Sequence, residues 1–272
     1  MKISEIMTKG PSTVRKETSL DEALELLDER AVRHLPVVER GEIVGILSDR
    51  DLLAATGWLP RRVHACRGPG GAERVPARIK DIMQRNVVTV RPDDEVLAAL
   101  IQCVERRIGS LPVVEGRTLV GLVTEHDLLR AYLASTPPAR EASRAVDCMT
   151  ANPTEIGVET TLDVAADMCR ANGIRHLPVV EAGQLLGILS DRDLRRARGV
   201  GRRGDMPVDE ILEASPITIE RETTLEEAAR TMLERKISAL PVLDEEELVG
   251  ILTLTDLLDH YLDGFVAPKP ER

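Results

Sequence analysis

The sequence predicts an α/β protein of four β-α-β-β-α units packed as two pseudo-two-fold pairs. Three observations predict it: a repeat with fixed offsets, an element order readable inside each copy, and an alternation between copies. The pair Leu-Pro recurs at Leu35-Pro36, Leu111-Pro112, Leu177-Pro178 and Leu240-Pro241. Nine residues after each Pro stands a Gly (Gly45, Gly121, Gly187, Gly250), and six residues later an Asp (Asp51, Asp127, Asp193, Asp256). Sixteen residues before each Pro a helical apolar pattern begins, at Leu20, Val96, Leu162 and Leu225. Such self-similarity marks a repeat architecture. The units run 1–57, 77–133, 143–199 and 206–262, and the remainder, three linkers and a tail, offers no stretch large enough for a catalytic domain.

Within a copy the elements follow in order. A short extended segment opens it (Ser12-Thr13-Val14, Val88-Thr89-Val90). A helix follows whose apolar residues fall at i, i+3, i+4 and i+7, as at Leu20, Ala23, Leu24 and Leu27. Ser19 with Glu22 and Thr224 with Glu227 form capping boxes at its start. Two β runs, Leu35–Glu39 and Ile43–Ser48, flank a tight turn at Arg40-Gly41, and a second helix begins near Asp49. One unit is too small to bury its own sheet face, so the copies must pair. Copies one and three share Arg-His before Leu-Pro and Ser-Asp-Arg-Asp after the Gly. Copies two and four carry Gly109-Ser110 or Ser238-Ala239, and Thr124 or Thr253. This alternation is that of a two-unit module duplicated whole.

Composition excludes several classes. The 272 residues carry a net charge of −10, which opposes a general nucleic-acid coat. Trp58, Tyr132, Tyr261 and Phe265 are the whole aromatic set, too few for a base-stacking platform. No apolar run approaches the roughly 18 residues of a membrane span, and the opening Met-Lys-Ile-Ser-Glu is no signal peptide, so a cytoplasmic location is expected. Cys103, Cys169 and Cys148 fall in apolar registers and are expected to be core thiols, which leaves Cys66 as the exposed one. His64 with Cys66 is too small a set for zinc.

The four in-phase units resemble cystathionine-β-synthase (CBS) domains paired into Bateman modules, and the resemblance covers most of the chain. It implies a regulatory, non-enzymatic protein that binds adenosine-containing ligands (AMP, ADP, ATP or S-adenosylmethionine) in clefts between units. The bound state would be passed to a partner protein encoded elsewhere; a homodimer stays open. A scaffold with empty clefts is the alternative, and a nucleic-acid regulator a weaker one.

The constellation Gly-x-x-Ser/Thr-x-x-Asp would carry the ligand: Gly45/Ser48/Asp51, Gly121/Thr124/Asp127, Gly187/Ser190/Asp193 and Gly250/Thr253/Asp256. A carboxylate can accept from both ribose hydroxyls, the hydroxyl residue reaches the same sugar, and the glycine admits a ligand or a neighbouring strand. Ser/Thr-x-x-Asp is equally a helix cap, and both roles can coexist. Phosphate capture needs local cations. Arg33, His34, Arg50, Arg175, His176 and Arg192 are the candidates, with His126 in copy two and only Thr255 in copy four. The resemblance also places Thr13, Thr89 and Thr218 in the adenine–ribose pocket, where copy three carries Glu155, a group that would repel a polyphosphate. Arg61, Arg62, Arg67, Arg74 and Arg78 in the first linker, and Arg195, Arg196, Arg198, Arg202 and Arg203 after copy three, read as solvated stretches or as a contact for an acidic partner.

Overall fold

The computed structural model describes residues 1–56, 66–67, 73–74, 78–135, 143–199, 202–213 and 215–265. Each unit holds a first helix (Leu20–Glu29, Val96–Arg106, Leu162–Asn172, Leu225–Arg235) and then a hairpin. The hairpins are His34–Glu39 with Glu42–Ser48, Ser110–Glu115 with Thr118–Thr124, His176–Glu181 with Gln184–Ser190, and Ala239–Asp244 with Glu247–Thr253. A second helix closes each unit (Asp49–Thr56, Glu125–Ala134, Asp191–Gly199, Leu254–Phe265).

Local chemistry accounts for these elements. Ser19 Oγ accepts from the Glu22 amide at 3.2 Å while Glu22 accepts from the Ser19 amide at 3.0 Å; Thr224 and Glu227 repeat the box. The first helix of unit 1 then lays Leu20, Ala23 and Leu27 onto Leu35, Val37 and Leu47 of its hairpin. Arg40 and Gly41 at the turn both have positive φ, 53° and 86°, the type I′ geometry that matches strand twist. The recurrent Leu-Pro also has a place. Val14 donates to the Pro36 carbonyl, and Val38 donates back to Val14, so the extended segment runs parallel to the strand where proline has no N–H to leave unpaired. Val90 with Pro112 and Ile156 with Pro178 repeat this.

Pairing of units is by exchange. The opening segment of each unit lies on the sheet of its partner: Thr8 and Lys9 pair with Leu122 and Gly121 of unit 2, and Gln84 pairs with Ile46 of unit 1. Ile3, fully buried, sits in the core of unit 2, while Ile79 and Met83 complete that of unit 1. The second module does the same: Thr150 and Ala151 pair with the hairpin of unit 4, and Val208 enters the core of unit 3. Within the first module Glu42 also pairs with Thr118, joining the two hairpins.

The described residues form three cores. Units 1 and 3 each have their own, and units 2 and 4 share one, in which Leu128, Leu129, Leu254, Leu257 and Leu258 are almost wholly buried. Cys103 and Cys169 are buried and Cys148 is half-buried, in the apolar registers expected; burial pushes the first two thiols up to about 12.

Candidate functional site

All four Ser/Thr-x-x-Asp motifs sit where a hairpin strand runs into the second helix, and all four fold the same way. Asp51 Oδ2 accepts from the Ser48 amide at 2.8 Å and from Ser48 Oγ at 2.6 Å. Asp127, Asp193 and Asp256 do so with Thr124, Ser190 and Thr253. One carboxylate oxygen is thus committed to the helix start. The other points elsewhere: Asp51 Oδ1 accepts from Gln84 at 3.1 Å and Asp127 Oδ1 pairs with Arg130, whereas the described residues give Oδ1 of Asp193 and Asp256 no donor.

The motif glycines have a structural task. A Cβ on Gly45 would lie 2.7 Å from Met83 Sδ, and on Gly121 2.5 Å from Met7 Sδ; Gly187 faces Leu212 and Gly250 faces Met149 in the same way. Every one of these side chains belongs to an exchanged segment. Of the two approaches expected at Gly45, Gly121 and Gly187, the neighbouring segment is the one observed, and these glycines do not line the central cavity.

That cavity, of about 720 Å3, lies where the four units meet. Ser48 and Asp51 reach it from unit 1, opposite Asn86, Val87 and Val88 of unit 2. Thr253 and Asp256 reach it from unit 4, opposite Asn152, Pro153 and Thr154 of unit 3. The lining residues of the extended segments therefore precede Thr89 and Glu155, whose side chains are exposed and off the cavity wall. Thr13 is exposed and lines a separate outer groove, and Thr218 is half-buried away from the centre. Thr13, Thr89 and Thr218, expected in the adenine–ribose pocket, thus do not line this central cavity, and neither does Glu155. The following residue in the first three copies (Val14, Val90, Ile156) turns into the core, which sends these side chains outward. The motifs at Thr124/Asp127 and Ser190/Asp193 are also absent from this cavity wall.

Charges at the centre are largely matched. Arg33 Nε pairs with Asp49 at 3.3 Å, its Nη2 with Asp191 of unit 3 at 3.3 Å, and its Nη1 donates to Ser238 of unit 4. Burial would lower its pKa, but Asp49 and Asp191 outweigh that and hold it above the ordinary value. Asp191 is raised, first by burial and then by Asp49 beside it. Arg175 donates to Thr255 at 3.3 Å and faces Glu125 at 3.9 Å. Burial pushes His34 down to about 4 and His176 to about 3, and lowers His126 as well. These imidazoles are neutral at pH 7, so the positive charge expected of His34, His126 and His176 is absent; they offer hydrogen bonds instead. Arg50 is exposed at the cavity rim, and Arg192 is half-buried, its pKa lowered by burial and by Arg33.

The family models match at four stretches, residues 3–57, 79–134, 144–199 and 208–263, each with the CBS domain. The chain belongs to the CBS-domain family. It is similar to the uncharacterized protein MJ1225 of Methanocaldococcus jannaschii, with 31% identity over 284 residues covering 96% of this chain and 98% of that one. The crystal structure of MJ1225, described as a candidate archaeal homologue of γ-AMPK, superposes with a TM-score of 0.80 at 25% identity over 96% of this chain and 100% of that one. An uncharacterized conserved protein of Pyrococcus horikoshii shares the fold, with a TM-score of 0.65 at 24% identity over 96% of this chain and 99% of that one. Two CBS pairs in one chain are therefore the architecture of this protein.

Sequence reasoning missed Gln84, Asn86 and Asn152 on the cavity wall, because exchange of the opening segments was not readable from within a repeat, and it missed Glu125, which opens the second helix of unit 2. It also left the basic stretch after copy three open. Arg195 is buried against Asp28 of unit 1 at 2.8 Å, Arg202 pairs with Glu210, and Arg203 with Asp205, so these cations are matched internally. Arg78 caps the exchanged segment and donates to the Glu17 carbonyl. Arg61, Arg62 and His64, and the side chains of Cys66, Arg67, Arg74 and Arg198, lie outside the described residues. Among the described residues no group of His, Cys, Asp and Glu is arranged to hold a metal, and no helix is long and apolar enough to cross a membrane.

Proposed function

We propose that this protein is a non-catalytic regulator that binds adenosine-containing ligands of the AMP, ADP and ATP class in the central cavity and transmits occupancy to a partner protein. One observation carries the reading: a single cavity of about 720 Å3 receives Ser48 with Asp51 and Thr253 with Asp256, each facing an extended segment of the paired unit. The cap occupies Oδ2 of each aspartate, and Oδ1 remains to accept from a ribose hydroxyl, a charge-assisted bond stronger than a neutral one. For Asp51 the ribose would displace Gln84. S-adenosylmethionine presents the same adenosine. Similarity to MJ1225, described in relation to γ-AMPK, supports a regulatory role.

The cavity is walled by all four units, so a ligand in it biases their relative orientation by its difference in affinity between arrangements. The scaffold reading keeps one observation in its favour: every motif aspartate is already satisfied as a cap. Thermal melting with AMP, ADP, ATP and S-adenosylmethionine, each at millimolar concentration, decides between them. A ligand present at about 100 times its Kd adds about 2.7 kcal/mol to stability, and at least one should raise Tm by several degrees. No shift with any of the four leaves the scaffold.

A further inference from the structure

Resting on the adenosine reading, we infer that the two ends of the central cavity select ligands of opposite charge. The end built on Asp51 takes a phosphate-bearing adenosine ligand; the end built on Asp256 takes one whose tail is cationic, a sulfonium or an ammonium.

The ends correspond position by position. Ser48 and Asp51 match Thr253 and Asp256, Asn86 matches Asn152, and Ile108 matches Ile174, all on the cavity wall. Their charges do not correspond. Arg50 at the first end is exposed and makes no ion pair among the described residues; Thr255 stands in its place at the second. The second end instead gathers three carboxylates, Asp256, Asp259 and Glu125. Burial raises the pKa of both aspartates, and Asp256, Asp263 and Glu125 raise Asp259 further. The cations acting on them are Arg175 on Asp256 and Arg107 on Asp259, while Arg175 is also held by Glu125 at 3.9 Å. A phosphate entering here would meet three carboxylates, whereas a cation would be drawn to them.

The inner walls differ in the same sense. In the second module the Ser238 hydroxyl is closed off, with His176 Nε2 at 3.2 Å and Arg33 Nη1 at 3.3 Å. The matching position of the first module is Gly109, which has no hydroxyl; beside it Ser110, on the cavity wall and 5% exposed, carries an Oγ with no hydrogen-bond partner among the described residues. Arg175, the counterpart of Arg33, has no hydroxyl at Gly109 to meet and turns to Thr255 and to Glu125, which stands where unit 4 carries Leu254. A buried hydroxyl without a partner is desolvated with nothing in return, so a ligand acceptor at Ser110 is favoured. A phosphate oxygen supplies one.

Calorimetric titration of the full chain with AMP and with S-adenosylmethionine tests this. Asp51→Asn should weaken AMP by about ten- to a hundredfold and leave S-adenosylmethionine within about twofold, and Asp256→Asn should do the reverse. Asp259→Asn, which touches no cap, should weaken S-adenosylmethionine by about three- to tenfold without weakening AMP, and it decides the matter if Asp256→Asn fails to fold. Charge selection is overturned if the wild type binds AMP alone, if Asp51→Asn and Asp256→Asn weaken AMP alike, or if Asp259→Asn tightens S-adenosylmethionine. Should the wild type bind neither, the adenosine reading falls as well, an outcome distinct from binding without selection.

Discussion

Units 2 and 4 meet through an apolar core, whereas units 1 and 3 meet through charges. Between units 2 and 4 the second helices pack with Tyr132 stacked on Tyr261 at 3.5 Å, and Leu257 and Leu258 are almost wholly buried. Between units 1 and 3 the equivalent helices begin Asp-Arg-Asp, and the contact is made by Arg33 with Asp191 and Arg195 with Asp28. Burial of apolar area is non-directional and involves no group that titrates. An ion pair between partly buried groups depends on geometry and pH, and is weakened when either partner titrates. Apolar packing thus fixes the two modules to each other on one side, and ion pairs, which pH can adjust, hold them on the other, with the cavity between.

The largest effect should come from the fixed side. Leu258→Ala removes a side chain 1% exposed in the shared core and should cost about 2–5 kcal/mol by denaturant unfolding. A cost under about 1 kcal/mol would mean that units 2 and 4 do not share a core. On the adjustable side Arg33→Ala leaves Asp49 and Asp191, each 7% exposed, without their common cation. We expect a loss of about 2–3 kcal/mol, below the range for a fully buried pair because Arg33 keeps some solvent contact. In acid the Arg33→Ala deficit should shrink, since protonation of Asp191, whose pKa is raised, removes the uncompensated charge.

Acid sharpens the same contrast through the histidines. His34 and His176 fall to about 4 and about 3 in the folded chain, so between that range and their ordinary 6.5 the unfolded chain binds the extra proton. Stability should therefore decline as pH falls below about 6.5, by about 2 kcal/mol per histidine at pH 5. The raised Asp191, Asp256 and Asp259 work in the opposite sense. A double His34→Gln, His176→Gln variant should flatten the decline in urea midpoints measured from pH 7 to 5; an unchanged slope would assign it to other groups. A smaller effect is expected inside a module. Gly187→Ala would place a methyl 2.5 Å from Leu212 and 3.0 Å from the Glu213 carbonyl, for a loss of about 1–3 kcal/mol. Gly157→Ala, with open space around it, serves as the control.

Much of the fold was legible in the residues. The helices begin at the capping boxes expected at Ser19 and Thr224, the hairpin turns at Arg40-Gly41, and the second helices start at the four Ser/Thr-x-x-Asp motifs. Of the candidate site residues, Arg33, His34, Ser48, Arg50, Asp51, Arg175, His176, Thr253 and Asp256 line the cavity. Thr13, Thr89 and Thr218 do not, and the motif glycines face packed side chains instead of open space. A glycine that admits a neighbouring chain and one that admits a ligand have the same spelling.

The sequence by itself determined everything that repeats or acts over a few residues: four units, their caps and turns, the apolar face of each helix, and the alternation that forms two modules. These are set by periodicity and by hydrogen bonds between residues three or four apart. Tertiary structure alone decided that Thr8 and Lys9 serve the sheet of unit 2, that units 2 and 4 merge their cores, and that Arg33 is claimed by Asp191 some 158 residues away. It also decided that His34 and His176 are neutral. Such outcomes depend on which surfaces meet and how much water they exclude, and no local pattern carries that information: two identical Arg-His pairs, at residues 33–34 and 175–176, end in different hydrogen-bond networks because units 2 and 4 differ at Gly109 against Ser238 and at Glu125 against Leu254.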